Sequence, residues 1–326
     1  MSQHTIPVIR ITEVAQHPNA DALEVITIGG YTVCARLGQF RPGDLAAYIE
    51  PDYLLPVSEP EFSFLEPKAK DGFAHIKAVR LRGVLSYGLL ISARPHWTEG
   101  QDVQDDLHVR RWEPKIENLV QTEDAVAPGC HVFHYDLENY RRYAKIHQCE
   151  MVEITEKVNG ANARFVFTDG ALHVGSHTKW KKPDERNQWW QAAKKYDLES
   201  KLRDFPEYVF YGEIYGNVGG WGYGQPGVLR LAFFDVSLRG QYLDVDQKHM
   251  VLTSLDLPEA PVIFRGLWDD RLIGLCEGDS LLHPGHIREG AVVSPLVERR
   301  DPECGRVKLK IINPDYLCSA ARKRAL

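Results

Sequence analysis

Thr155-Glu156-Lys157-Val158-Asn159-Gly160-Ala161-Asn162 interrupts an otherwise alternating pattern and marks where two strands meet. Before it, Val152 and Ile154 alternate with Glu153 and Thr155; after it, Ala163, Phe165 and Phe167 alternate with Arg164, Val166 and Thr168. A period of two is the signature of a strand, since successive side chains point to opposite faces. Asn159-Gly160 breaks the run, so Lys157 is expected at the end of one strand and just before the next. Asp169-Gly170 then predicts a hairpin turn into Leu172 to Val174, because both residue types accept positive φ. Taken alone, a lysine in such a place reads first as ordinary surface, where lysines mostly lie.

Four later segments change that reading. Tyr211-Gly212-Glu213 and Glu289-Gly290-Ala291-Val292-Val293 each set a carboxylate beside a glycine. In Val307-Lys308-Leu309-Lys310-Ile311, a strand would place both lysines on one face and the three apolar residues on the other, so two cations would enter one site. An edge strand that uses lysines against aggregation is the competing reading. Phe233 and Phe234, in Phe233-Phe234-Asp235-Val236, must face opposite ways; one belongs to the core, and Phe234 is assigned as the ring free to stack on a base.

The Lys157 segment resembles the nucleotide-accepting K-x-D/N/H-G motif of the covalent nucleotidyltransferases, which are the DNA ligases, RNA ligases and mRNA capping enzymes. The four later segments resemble further motifs of that superfamily in the same order. This resemblance implies that Lys157 carries AMP as a lysyl phosphoramidate. It implies that Thr155, Glu156, Asn159, Gly160, Asn162, Glu213, Phe234, Lys308 and Lys310 bind ATP or AMP, and that Glu289, Glu213 and Asn159 serve the metal. Asn162, five positions after the lysine, stands where RNA ligases often have asparagine and their cousins usually arginine. Only 16 residues follow Lys310, which is too few for the C-terminal OB domain of DNA ligases and capping enzymes.

An OB-like module is expected at the front instead. Val8 to Ile11, Leu23 to Ile28, Tyr31 to Ala35, Leu45 to Ile49, Ile76 to Arg82 and Tyr87 to Ile91 read as short strands separated by turns at His17-Pro18-Asn19-Ala20-Asp21, Gly29-Gly30 and Arg41-Pro42-Gly43-Asp44. That spacing suits a small barrel. The order of modules, with Arg110-Arg111-Trp112-Glu113 and Tyr135-Asp136-Leu137-Glu138-Asn139-Tyr140, is similar to that of the Deinococcus-type RNA ligases. The expected fold class is α+β: an OB-like β-barrel over 1–95, a linker and entry segment over 96–135, and a nucleotidyltransferase domain of antiparallel sheets flanked by helices over 136–326. Pro183-Asp184 predicts a helix over Glu185 to Leu202 with Asp184 as N-cap and with Trp189 and Trp190 packed inward.

The implied activity joins a 3′-OH RNA end to a 5′-phosphate, commonly at breaks in a duplex, with ATP as cosubstrate. A noncatalytic RNA-binding protein that retains the fold is the alternative. The chemistry needs a neutral Lys157 amine, so its pKa must fall from about 10.4. Lys308, Lys310 and a divalent ion would each push it down. Carboxylates and phosphate oxygens are hard ligands, which points to Mg²⁺ or Mn²⁺. Two departures from the family stand out. Asn159 replaces the commoner aspartate, which removes an anion near the lysine. In Gly175-Ser176-His177-Thr178, His177 stands where relatives often have an arginine that contacts RNA or ribose.

A formal charge of −6 over 326 residues argues against coating nucleic acid through overall charge. Contacts must be local, with candidate cations at Arg80 and Arg82, Arg110 and Arg111, Arg141, Arg142 and Lys145, Lys179, Lys181 and Lys182, and Arg322-Lys323-Arg324. The front module is expected either to hold RNA, through Arg80 or Arg82, or to help position pyrophosphate. Apolar content of 44% with no long apolar run predicts a soluble monomer without a membrane span. The N-terminus lacks a signal-peptide pattern, which predicts a cytoplasmic protein. Six scattered cysteines without a C-x-x-C pair are expected to be reduced structural thiols.

Overall fold

The computed structural model describes residues 5–112, 123–143, 145–216, 223 and 228–318. Glu113 and the basic run Arg322-Lys323-Arg324 lie outside the described residues. The chain divides into two compact units, the described residues up to 112 forming one and those from 123 to 316 the other. Among the described residues, no helix is long and apolar enough to cross a membrane.

The first unit is built from short antiparallel strands. Leu45–Ile49 pairs with Val8–Arg10 on one side and Leu89–Ser92 on the other, while Val14–Gln16, Leu23–Ile28 and Tyr31–Arg36 form a meander. Leu45–Ile49 is covered on both faces, Ala47 and Ile49 in one core and Ala46 and Tyr48 in the other. The turn at His17 is clasped to the hairpin Val79–Leu81/Val84–Ser86. His17 Nε2 donates to Leu81 O at 3.0 Å, its Nδ1 accepts from Asn19 N, and Asn19 Nδ2 donates to Arg82 O. The strand expected over Ile76 to Arg82 is the shorter Val79–Leu81, and sequence reasoning missed Tyr53–Pro56, Phe73–His75 and Val84–Ser86. It also placed the linker too early. Trp97, Val103, Leu107 and Val109 are buried in the core with Ile49 and Tyr53, and Arg110–Arg111 pairs with Tyr53–Pro56, so this unit runs past residue 95.

The second unit has two sheets. The larger contains β2 (Ala161–Thr168), β3 (Ala171–Ser176), β4 (Tyr208–Tyr215) and β5 (Arg230–Leu238) in the order β3-β2-β4-β5, extended by short edge strands to seven. The smaller contains β1 (Met151–Glu156), β6 (Val262–Leu267), β7 (Gly290–Pro295) and β8 (Leu309–Ile312) in the order β8-β7-β1-β6, with Glu138–Asn139 parallel to β8. Alternation sorts the faces of both sheets. Phe165, Phe210 and Phe233 pack with Trp189, Leu198, Leu202 and Leu252 from the helices, and Val152, Ile154, Ala291, Val293, Leu309 and Ile311 form the separate core of the smaller sheet. The β2–β3 hairpin closes through Asp169 (φ 51°) and Gly170 (φ 77°), as the sequence predicts.

The helix expected over 185–202 is two helices. It starts at Gln188 because Asn187, not Asp184, caps it, its side chain accepting from Trp189 N and Trp190 N. Asp184 bonds instead to Arg186. The first helix ends at Lys195, and Asp197, in the left-handed region at φ 50°, separates it from Leu198–Leu202. Trp189 is core, whereas Trp190 is half-buried.

Glu153 of β1 anchors a charge network. Glu153 receives Lys248 Nζ at 3.1 Å and His249 Nε2 at 2.6 Å, while His249 Nδ1 donates to Glu259 at 2.5 Å. With both nitrogens donating to carboxylates, His249 is an imidazolium, and those hydrogen bonds raise its pKa to about 9 despite burial and the nearby Lys248. A raised pKa contributes stability that is complete below the unfolded value near 6.5 and is lost as pH rises through about 9. We expect His249→Gln to be less stable than wild type by about 2 kcal/mol at pH 6, with the gap closing by pH 9.5. Urea unfolding across that range checks it, and a gap that did not depend on pH would rule out the ionic contribution.

Candidate active site

Lys157 lies in the short connection by which β1 of the smaller sheet passes into β2 of the larger, so it stands where the sheets meet. Its backbone N–H donates to Gly290 O at 2.9 Å, and this pairing brings the neighbouring Glu289 to its side chain. Lys157 Nζ donates to Glu289 Oε1 at 2.6 Å. Gly160 permits a close approach from the other side, because a Cβ there would lie 2.2 Å from Ile214 O and 3.0 Å from Glu213 Cγ. Glu213 is the cross-strand partner of Asn162. The connection is also pinned by Tyr223, whose hydroxyl accepts Asn159 N at 2.7 Å.

The electrostatics differ from the sequence expectation. Burial works to lower the Lys157 pKa, but Glu289 and Glu213 outweigh it and the ammonium is held above its ordinary range. Burial pushes the Glu213 carboxyl up to about 8, with Glu289 adding to the shift and Lys157 opposing it. Two carboxyl groups and one lysine are thus crowded together at the sheet junction. Removing one anion should release the lysine. We expect Glu289→Gln to lower the pKa of Lys157. The pH dependence of Lys157 acylation by an amine reagent, followed by mass spectrometry without metal, reads this directly, and an unchanged profile would show that Glu289 does not hold the proton.

The two motif lysines have different surroundings. Lys310 has its pKa lowered by burial, and Lys157 lowers it further while Asp136, Glu138 and Glu289 oppose the shift. Lys308 is spent on Asp235: its Nζ donates to Asp235 Oδ2 at 2.9 Å and to Phe234 O at 3.0 Å. The same oxygen accepts Arg306 Nη1 at 2.7 Å and the Tyr135 hydroxyl at 2.8 Å. Burial opposes the charge of Asp235, but Arg306 and Lys308 hold its carboxyl well below the usual range. Arg306 has a second carboxylate in Glu298, so Lys308 is the less compensated cation, and burial pushes it down to about 8. Of the two lysines expected on one face, Lys310 is electrostatically coupled to Lys157 and Glu289, whereas Lys308 bonds to Asp235.

Phe233 is fully buried and Phe234 half-buried, the latter 4.7 Å in ring centroids from Tyr135. Phe234 packs against a hydrophobic cluster that includes Val158, Tyr223 and Ala232. Thr155 is buried on the Lys157 face of β1. Glu156 points the other way, with its carboxylate bonded to Ser280 Oγ and to Leu281 N at 2.7 Å; this braces the 280s loop and leaves only its backbone for a nucleotide. Asn162 Oδ1 is buried and has no hydrogen-bond partner among the described residues.

Sequence reasoning gave no role to Asp235, Arg306, Tyr223 or Ser280. Asp235 and Arg306 lie next to recognised segments, and a charged residue inside a buried strand was the available signal. The basic cluster at Lys179, Lys181 and Lys182 is not free, since Asp124 and Glu123 neutralise it. All six cysteines are free thiols. Among the described residues, no group of three His, Cys, Asp or Glu side chains forms a ready-made metal site. Glu213 and Glu289 offer hard oxygens beside Lys157, a donor set that suits a divalent ion only if phosphate and water complete the shell.

Comparisons with known proteins bear on the family and the fold. A family model described as RNA ligase matches residues 150–312, and an OB-fold domain matches residues 5–93. The structure of a mutant Naegleria gruberi RNA ligase with ATP and Mn superposes with a TM-score of 0.85 at 21% identity, over 96% of this chain and 98% of that one. That ligase with PPi gives a TM-score of 0.85 at 22% identity, over 97% and 98%. No curated protein sequence matches the chain.

Proposed function

Because the chain belongs to the RNA ligase family by the match over residues 150–312, we propose that it joins a 3′-hydroxyl RNA end to a 5′-phosphate through AMP carried on Lys157. The observation that carries this reading is Lys157 Nζ itself, 2.6 Å from Glu289 at the junction of two sheets with Glu213 alongside. In the first transfer the neutral amine attacks the α-phosphorus of ATP, forming a P–N bond as pyrophosphate leaves. A 5′-phosphate oxygen then displaces Lys157, and the 3′-hydroxyl finally displaces AMP. Lys310, and Lys308 once released from Asp235, offset charge on the α-phosphate. Phe234 supports the adenine, and Asn162, with its unpaired carbonyl, contacts nucleotide or RNA.

ATP and a divalent ion, Mg²⁺ or Mn²⁺, are the proposed cosubstrate and cofactor. The related ligase has been solved with ATP and Mn and with AMP and Mn, which supports that choice. A cation held by Glu213 and Glu289, with Asn159 nearby, would cancel the pull that keeps Lys157 protonated and offset charge on the departing pyrophosphate. We propose that the protein acts as a cytoplasmic monomer at breaks in duplex RNA. Purified protein, ATP and metal should seal a nicked RNA duplex bearing 3′-OH and 5′-phosphate ends. Sealing of a DNA nick with no product from RNA would reject the substrate assignment.

A further inference from the structure

Arg164 is a buried guanidinium without a counter-anion. It lies on β2 two residues beyond Asn162 and on the same face, opposite Tyr211 on β4. The side chain is 6% exposed, and among the described residues it forms no ion pair with a carboxylate. Its position is nevertheless firmly set. Nε donates to Ser176 O at 2.8 Å, and Cζ lies 4.7 Å from the centre of the Trp180 ring. Gly175 makes room for that ring, because a Cβ there would lie 3.0 Å from Trp180 Cε3. No protein acceptor among the described residues takes the two terminal nitrogens, which therefore remain available as a two-pronged donor.

The surroundings favour an anion. His134 and His177 lie with ring centroids 4.2 Å apart, and Arg164 and His177 both act to lower the His134 pKa, burial being the larger cause. His177 Nε2 donates to Tyr135 O at 2.8 Å, which fixes this ring beside the sheet. Buried charges are costly unless compensated, and an arginine fork matches phosphate oxygens two at a time. The unpaired Asn162 amide adjoins the same face.

Resting on the ligase reading above, we propose that Arg164, clamped by Trp180 and Ser176, binds the terminal 5′-phosphate of the RNA strand that is to receive AMP. A terminal monoester carries more negative charge than an internal diester, so an uncompensated guanidinium selects the end over the backbone. Arg164 thus takes over what His177, turned toward Tyr135 O, does not supply.

The test compares binding of a fluorescent RNA with a 5′-phosphate and the same RNA with a 5′-hydroxyl, measured by anisotropy on wild type, Arg164→Met and Arg164→Lys. Wild type should prefer the phosphorylated end by about 10- to 100-fold, Arg164→Met should bind both equally, and Arg164→Lys should keep part of the preference. In parallel, the ratio of AMP transfer to lysyl-AMP formation should fall by a similar factor in Arg164→Met. A wild type without preference, or an Arg164→Met protein that keeps it, would overturn the proposal. So would a variant in which lysyl-AMP formation and transfer fall together with the end preference intact, since that is the behaviour of a purely structural latch for Trp180. Absence of lysyl-AMP in wild type would instead count against the ligase reading, while the binding comparison would still decide the role of Arg164.

Discussion

Gly160→Ala should lose lysyl-AMP formation by about 100-fold or more while the rest of the protein still folds. The added Cβ would stand 2.2 Å from Ile214 O and 3.0 Å from Glu213 Cγ, closer than atoms pack. Ile214 cannot retreat without opening the β2–β4 pairing of Ala161 with Ile214 and Asn162 with Glu213. The strain therefore falls on the turn after Lys157 or on Glu213, and either shift misplaces a reacting group by an ångström or so. Overpacking of this kind also costs about 1–3 kcal/mol of stability. Gly274→Ala is the matched control, because a Cβ there meets nothing within 4 Å. Circular dichroism and labelling by α-labelled ATP separate loss of fold from loss of site. Normal labelling of Gly160→Ala would mean that the tight approach is not needed.

Asp235→Ala should be the most destabilising single change in the second unit. One carboxylate oxygen accepts from Tyr135, Arg306 and Lys308, all at 2.7–2.9 Å. Removing it strands a buried lysine and leaves Arg306 with Glu298 alone. Loss of one partner from a buried ionic group costs about 3–5 kcal/mol. For a unit of this size that corresponds to a fall in Tm of roughly 10 °C, measurable by calorimetry. A change under about 1 kcal/mol would show that the cluster is balanced by other groups. The same cluster bears on mechanism. Lys308 has two of its three donors on Asp235 and Phe234 O, so the proposed contact with a phosphate would compete with Asp235 for the same cation.

Local patterns carried much of this in the sequence. The alternation around Lys157 located the strand junction, Asp169-Gly170 located the hairpin, and Phe233-Phe234 sorted into a fully buried and a half-buried face as their adjacency required. Leu23–Ile28 and Leu45–Ile49 have the bounds that the turn residues imply. What was not legible depends on partners far away in the chain. Lys308 follows from its own strand only as a cation on one face, and Asp235, 73 positions earlier, decides where it rests. Lys157 was expected to be depressed by Lys308, Lys310 and a divalent ion. Instead Glu289, 132 positions later, raises it, because the pairing of the strand junction with β7 places that carboxylate nearest. The helix was misplaced for a local reason, competition between Asp184 and Asn187 for the cap, in which Asp184 went to Arg186. The first unit was cut short because Trp97 to Val109 carry no regular period, yet they close its core.

The covalent role of Lys157 is the centre of the account, and one gel tests it. Wild-type protein and Lys157→Ala are incubated with α-labelled ATP and Mg²⁺ or Mn²⁺, denatured and separated. Label that survives denaturation on wild type and is missing from Lys157→Ala is the predicted result. Label that persists on Lys157→Ala, or none on folded wild type with either metal, would contradict it.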